Sequence, residues 1–103
     1  MNNFPENVSF LSTNRFIAGG ASSKNFENFN LALHVNDKKE NVLANRAILR
    51  SHYKLPSNPI WINQTHSSIC VDASRINSIV EADASFTADP KTVCGILTAD
   101  CLP

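Results

Sequence analysis

The stretch DKKENVLANRAILRSHY, residues 37–53, decides the fold, because it contains the clearest helical pattern in the chain. Asp37 is a favourable N-cap residue, and Glu40, three positions later, completes a pair similar to a capping box. At about 100° per residue, one face of the predicted helix is apolar. That face carries Val42, Leu49 and Tyr53. The sequence therefore predicts an amphipathic helix that packs on the remainder of the domain.

Two polar residues, Asn45 and Arg46, lie on or near this apolar face. They need partners if they are buried, and two roles are open: contact with a substrate, or a structural ion pair with Asp83 or Asp100. Other apolar residues lie elsewhere around the helix, which predicts that it is covered on more than one side. These are Leu43, Ala47 and Ile48. The proline-containing segment 55–59 is expected to end the helix.

Short apolar or alternating segments bounded by polar residues predict several strands. They are residues 8–11, 30–35, 60–63, 68–71, 82–87 and 93–98. Gly19-Gly20 predicts a turn, and Asp89-Pro90 predicts another between the last two strands. The segment 94–97 is typical of an interior strand, which would deliver Asp100 and Cys101 at its end. The predicted fold class is α/β, with a mixed sheet packed against helices.

The composition excludes several classes of function. A hydrophobic fraction of 43% can supply a core, and a charged fraction of 17% argues against a disordered chain. Lys+Arg and Asp+Glu both total 9, so no net field attracts nucleic acid or an anionic membrane. The N-terminus has no signal-peptide pattern, and the 3 cysteines form no CxxC pair. These features predict a cytoplasmic protein whose partner is a small molecule or another protein.

His66 and Cys101 are the first candidates for chemistry, because imidazole and thiolate are both good zinc ligands. The residue types alone leave ordinary roles open. A free cysteine is usually buried, and a loop histidine commonly makes a structural hydrogen bond. A catalytic zinc usually has three protein ligands and an open position for water, so two candidates are an incomplete set.

Several motifs, in order along the chain, together resemble the multicopper polyphenol oxidase (laccase-domain) family. WINQTHS at 61–67 resembles its W-x-x-Q-x-H-G stretch, and TADCLP at 98–103 matches its T-A-D-C-x-P signature. Weaker similarities accompany these two motifs. They are residues 12–15 with 19–22, residues 30–37, Asn45-Arg46 and residues 81–84. Ser67 and Asn36 stand where the family usually has glycine. The family's third zinc ligand is a later histidine, which has no match in this sequence. Neither His34 nor His52 fits its position.

The resemblance implies a layered α/β sandwich whose second half is missing, so that residues 1–103 form the N-terminal part of a single enzyme domain. It also implies zinc held by His66, Cys101 and a third histidine, with these two residues as the catalytic groups. The implied activity is phosphorolysis of adenosine, inosine or guanosine, accompanied by adenosine deamination, with a purine nucleoside and phosphate as partners. Substrate would contact Arg15, Asn45 and Arg46, although Arg15 could equally be a solvated arginine. Gln64 and Asp100 would orient the ligands through hydrogen bonds.

Two rival enzymes remain open. A copper polyphenol oxidase would normally need more histidines than the 3 present. A cysteine hydrolase would use Cys101 as nucleophile and His66 as base, on a substrate such as a cell-wall precursor peptide. A non-catalytic fragment is the third alternative. By itself, the 103-residue chain is expected to be inactive, to bind zinc weakly and to self-associate through an exposed strand edge.

Overall fold

The computed structural model describes residues 8–98. Helix α1 spans Lys39–His52, strand β1 spans Cys70–Asp72 and strand β2 spans Ala84–Phe86. Short 3-10 helices form at Lys24–Phe26 and Ala73–Arg75. The protein is a small α/β fold, as the sequence predicted. No helix within the described range is long and apolar enough to cross a membrane.

The paired segments between residues 60 and 94 run parallel to one another, whereas an isolated antiparallel bridge joins Ser22 and Asn28. β1 pairs with β2 in the register Cys70↔Ala84, Val71↔Ser85 and Asp72↔Phe86. Two isolated parallel bridges continue this arrangement, Asn63↔Glu81 and Ile60↔Cys94. Segment 60–63 therefore lies between the start of segment 80–86 and segment 93–97, and the latter leads towards residues 99–103.

Several strand predictions were too long or wrong. Segments 60–63 and 93–98 form only isolated bridges, and 82–87 shortens to β2. In place of 68–71, β1 begins two residues later and ends one residue later. Residues 8–11 lie outside regular structure and are exposed, and residues 30–35 contain bends. At 30–35 the cause is local: Asn30 Oδ1 accepts from the Ala32 N–H at 3.1 Å, while Asn30 Nδ2 donates to the Ala32 carbonyl at 3.2 Å. Such side-chain bonds to the backbone compete with strand pairing.

The apolar face of α1 was predicted correctly for Val42 and Leu49, whereas Tyr53 follows the helix as its C-cap and is half-buried. Val42 and Asn45 are fully buried, and Leu49 is 3% exposed. They pack into a core completed by Phe29, Ile62, Ala73 and Ala82. Coverage on a second side is not found in the described part of the chain, because Leu43 is 47% exposed.

The start of α1 differs from the prediction by one residue. Lys38 is the N-cap and makes no capping hydrogen bond through its side chain. Asp37 is drawn into a tertiary network instead, where its Oδ2 accepts from Ser22 Oγ at 2.5 Å and from Asn30 Nδ2 at 3.1 Å. Burial raises the pKa of Asp37, but these hydrogen bonds outweigh it and the pKa falls below its usual value. The helix ends at His52, before the predicted segment 55–59.

Gly20 is required by a close approach between two loops. A Cβ built on it would lie 2.7 Å from the Asn28 carbonyl oxygen, a backbone atom that a side-chain rotation cannot move away. We expect Gly20→Ala to lower the free energy of unfolding by about 1–3 kcal/mol, as overpacking does. Gly19 is the control: a Cβ there has open space but a strained φ of 84°, so Gly19→Ala should cost only about 1 kcal/mol. Urea unfolding measures both, and an equal loss in the two variants would contradict the steric explanation.

Candidate active site around His66

His66 lies in the loop after segment 60–63, and its position is set by the backbone. Its φ is 60°, in the left-handed region that non-glycine residues seldom adopt. The residue is exposed, and its imidazole makes no hydrogen bond with the residues from 8 to 98. An imidazole that is accessible and unpaired in this way fits a ligand for zinc or copper.

One carboxylate holds the loop in this conformation. Asp83 Oδ1 accepts from the His66 N–H at 3.1 Å, and Asp83 Oδ2 accepts from the Thr65 N–H at 3.2 Å. The Ser67 N–H and hydroxyl also donate to Asp83 Oδ2, at 2.5 and 2.6 Å. From the sequence, Asp83 was expected only as an ion-pair partner. Its position in the acidic segment 81–84, directly before a strand, was the available signal.

The hydrogen bonds from residues 65–67 to Asp83, called the clamp below, are sensitive to acid because they need the ionised carboxylate. The Ser67 hydroxyl, followed by the backbone N–H groups, lowers the pKa of Asp83 from 3.8 to about 2. A carboxyl whose folded pKa is depressed stabilises the fold fully above its unfolded pKa, and that contribution disappears as the pH falls through the folded pKa. We therefore expect the stability difference between wild type and Asp83→Asn to be constant above about pH 5 and to shrink between about pH 4 and 2.

Chemical unfolding of both proteins at several pH values measures that difference, because the other carboxyl groups contribute equally and cancel. A difference that stays the same from pH 6 to pH 2.5 would contradict the assignment of this pKa to the clamp.

Gln64 fastens the His66 loop to the segment that leads to Cys101. Gln64 Nε2 donates to the Leu97 carbonyl at 3.0 Å, and the Leu97 N–H donates to Gln64 Oε1 at 2.8 Å. Beside this pair, Trp61 packs closely on Gly95: a Cβ built on Gly95 would lie 2.9 Å from the Trp61 ring. Gln64 therefore acts on the backbone of the neighbouring segment, and its role in orienting the ligands stays a prediction.

Asp100 and Cys101 lie outside the described residues. Cys101 follows Leu97 by four residues, which span at most about 14 Å when fully extended. The Gln64–Leu97 pair therefore places Leu97, the last apolar residue before the T-A-D-C-x-P segment, beside the His66 loop. The convergence of the two side chains stays a prediction. Within residues 8–98, no three histidine, cysteine, aspartate or glutamate side chains are placed to hold a metal ion.

Asn45 joins α1 to two loops. Its Oδ1 accepts from the Ala21 N–H at 2.8 Å, and its Nδ2 donates to Ser22 Oγ and to the Asn30 carbonyl, both at 2.9 Å. The amide group of this fully buried side chain is thus engaged in holding the glycine-rich turn beside the helix. The contact of Asn45 with a substrate stays a prediction.

Arg46 is half-buried and takes a different partner from the predicted ion pair with Asp83. Its Nε and Nη2 donate to the Leu31 carbonyl at 2.9 and 2.7 Å, and its guanidinium lies 4.7 Å from the Trp61 ring centroid. Burial lowers the pKa of Arg46 below its usual value, although an arginine stays protonated in a protein. Asp83 is used by the His66 loop, and Asp100 lies beyond the described range.

Arg15 is exposed, and its side chain bonds to loop 25–29. Its Nε donates to the Glu27 carbonyl and its Nη2 to the Asn25 carbonyl, each at 3.0 Å. Its own carbonyl accepts from the Asn28 and Phe29 N–H groups at 3.2 and 2.9 Å. These contacts order loop 25–29 while the outer face of the guanidinium remains at the surface.

The known proteins that are similar to this chain agree with one another in family. A purine nucleoside phosphorylase of Haemophilus influenzae is 41% identical over 101 residues, covering 98% of this chain and 41% of that protein. A purine nucleoside phosphorylase of Escherichia coli K12 is 36% identical over 103 residues, covering 96% of this chain and 40% of that protein. A crystal structure of a Neisseria meningitidis protein has a TM-score of 0.71 at 35% identity, covering 81% of this chain and 34% of that one.

The chain thus spans about two fifths of the length of these two curated relatives. A family model matches residues 10–103, a range that includes both the His66 loop and the T-A-D-C-x-P segment. The resemblance inferred from those motifs is confirmed. The chain belongs to the multi-copper polyphenol oxidoreductase laccase family.

Proposed function

We propose that the full-length protein is a zinc-dependent purine nucleoside phosphorylase that cleaves adenosine, inosine or guanosine with phosphate. The similarity to curated proteins named purine nucleoside phosphorylase, one of them 41% identical, carries the proposal. The accessible imidazole of His66 on a clamped loop supports it from the structure. We propose adenosine deamination as an accompanying activity and the cytoplasm as the location, where free cysteines persist.

His66 and Cys101 would hold the metal together with a third ligand from elsewhere in the full-length protein. Bound zinc would polarise a substrate oxygen or activate water. The residues of this chain prepare the site for it. Asp83 fixes the His66 backbone, and Gln64 pairs with Leu97 to bring the two ligand-bearing segments together. Asp100, next to Cys101, would accept a hydrogen bond that orients a ligand.

Arg15 and Arg46 are proposed to contact substrate directly, because their guanidinium groups suit phosphate or ribose oxygens. Asn45, which is fully buried, is proposed to act on the substrate site through the glycine-rich turn that it holds. Arg46 retains an Nη1 group beyond the two nitrogens that bond Leu31. Arg15 is exposed, so phosphate can approach it without displacing core residues.

Arg15→Ala is expected to raise the KM for phosphate while bound zinc stays at its wild-type content. Its guanidinium would contact the anion but not the metal, and a charge-assisted hydrogen bond of this kind contributes about 1.5–3 kcal/mol, or roughly 10- to 150-fold in KM. Arg50→Ala is the control, because Arg50 is also an exposed arginine, on α1, with a hydrogen bond only to Asn58 within the described range. An unchanged phosphate KM in Arg15→Ala would remove Arg15 from the site.

The deciding experiment is an assay of metal-loaded full-length protein with inosine and phosphate, followed by detection of hypoxanthine and ribose 1-phosphate. Phosphate-dependent formation of both products would support the proposal. Inosine formed from adenosine would establish the accompanying deamination. Oxidation of a phenol by the copper-loaded protein, with no phosphorolysis in the zinc-loaded form, would instead establish the copper oxidase that the family description suggests.

A further inference from the structure

The chain turn at 65–67 has the form of an anion-binding nest that is already filled. Successive backbone N–H groups converge on one point when a residue adopts a left-handed conformation. Here Thr65, His66 and Ser67 direct their N–H groups at one carboxylate, that of Asp83. The left-handed residue is His66 itself, with φ 60°. The conformation of the proposed ligand is therefore tied to a side chain 17 positions later in the sequence.

Asp83 is itself firmly placed. Its N–H donates to the Ile69 carbonyl at 3.1 Å, and the next residue, Ala84, begins β2. On its other side, the Ala82 N–H donates to the Asn63 carbonyl at 3.1 Å, and Ala82 is fully buried. The carboxylate thus connects the His66 loop to the parallel segments of the sheet.

Both carboxylate oxygens are already engaged. Oδ1 accepts from the His66 N–H, and Oδ2 accepts from Thr65 and twice from Ser67. Direct metal coordination by Asp83 would require some of these bonds to break. A metal-binding histidine commonly has its ring oriented by a hydrogen bond to its second nitrogen. The His66 imidazole has no such partner within residues 8–98, so the described residues orient it only through its backbone, which fixes the direction of the Cα–Cβ bond.

We propose that Asp83 is a positioning residue for metal binding, which preorganises His66 by clamping the backbone of residues 65–67. This inference rests on the proposed function, since it assumes that His66 is a metal ligand. Without the clamp, the loop would sample ordinary φ values, and binding a metal would have to select the left-handed one. The lost preorganisation would weaken metal binding without removing any ligand.

The test is the Zn²⁺ dissociation constant of the full-length protein, measured by competition with a chelator, for wild type, Asp83→Asn and Asp83→Ala. Removal of groups that orient a ligand typically weakens metal affinity by about 10- to 100-fold, and we expect this loss for Asp83→Ala. Asp83→Asn should show a smaller loss, because its amide oxygen still accepts one or two of the hydrogen bonds. Hydrogen exchange at residues 65–67 in the metal-free proteins should accelerate in the same order.

Glu81→Ala is the matched control. Glu81 is an exposed carboxylate two positions away on the same segment, with no side-chain hydrogen bond in the described range, and its replacement should leave both measurements unchanged. If Asp83→Ala fails to fold, Asp83→Asn, which keeps the shape of the side chain, provides the comparison.

The possible results distinguish a failure of this inference from a failure of the proposed function. Wild-type zinc affinity in a folded Asp83 variant whose residues 65–67 exchange faster would overturn the positioning role alone, with the phosphorylase proposal intact. Wild-type protein that neither binds zinc nor cleaves inosine would overturn both. A metal affinity that falls equally in Glu81→Ala would show a general charge effect and would also reject the clamp.

Discussion

Cys101→Ala in the full-length protein is expected to remove bound zinc and nucleoside phosphorolysis together. The thiolate would be one of three protein ligands, and its loss removes a coordinate bond as well as the geometry that holds the others. His66→Ala should have the same effect for the same reason. We expect turnover to fall by at least about 100-fold in each variant, since even residues that only orient a ligand can cost that much. Atomic spectroscopy and an inosine phosphorolysis assay on the same samples measure the two losses.

Two matched variants control this experiment. Cys94 and His34 are an exposed cysteine and an exposed histidine outside the predicted ligand set, so Cys94→Ala and His34→Ala should retain zinc and activity. If Cys101→Ala loses activity with its zinc fully retained, Cys101 is a nucleophile, as in the cysteine hydrolase alternative. Activity that survives chelation in wild type would point the same way.

Asn45→Ala is expected to cause a large loss of stability for the substitution of a single polar residue. Asn45 is fully buried, and its truncation leaves the Ala21 N–H and the Asn30 carbonyl without partners. An unsatisfied buried group costs about 1–3 kcal/mol, and these two groups are part-buried, so the free energy of unfolding should fall by about 2–4 kcal/mol. That loss is a large share of the roughly 5–15 kcal/mol that stabilises a typical domain. Urea denaturation of the purified variant measures it.

Asn41 provides the control on the same helix. It lies one turn earlier, is only half-buried and makes no side-chain hydrogen bond within residues 8–98. Asn41→Ala should therefore change the free energy of unfolding by no more than about 0.5 kcal/mol. A loss below about 1 kcal/mol in Asn45→Ala would mean that the loops at Ala21 and Asn30 are held by other contacts.

Local sequence signals were sufficient for some of the fold. The periodicity of residues 37–53 identified α1 and its buried face, because a helix is defined by neighbours three and four positions apart. The Asp89-Pro90 turn is also confirmed, with the Thr92 N–H donating to the Asp89 carbonyl at 3.1 Å. The paired Q-x-H and T-A-D-C-x-P motifs identified the family without any structure.

The extents of the strands could not be predicted in this way. A strand is defined by its partner, and segments 60–63 and 93–98 meet their partners at single bridges only. Asp37 shows the same dependence on tertiary context. It is a good N-cap residue by local rules, but Ser22 and Asn30 are brought beside it by the fold, and its carboxylate bonds to them instead.

The sequence by itself determined the α/β class, the position of the helix and the identity of the candidate ligands. Only the tertiary structure decided that Asp83 would hold the His66 loop, that Gln64 would pair with Leu97, and that Arg46 would lie against Trp61. Each of these contacts joins residues at least 15 positions apart. Their formation depends on the register of the parallel segments and on the conformation of the connecting loops, and short-range residue patterns carry no information about either.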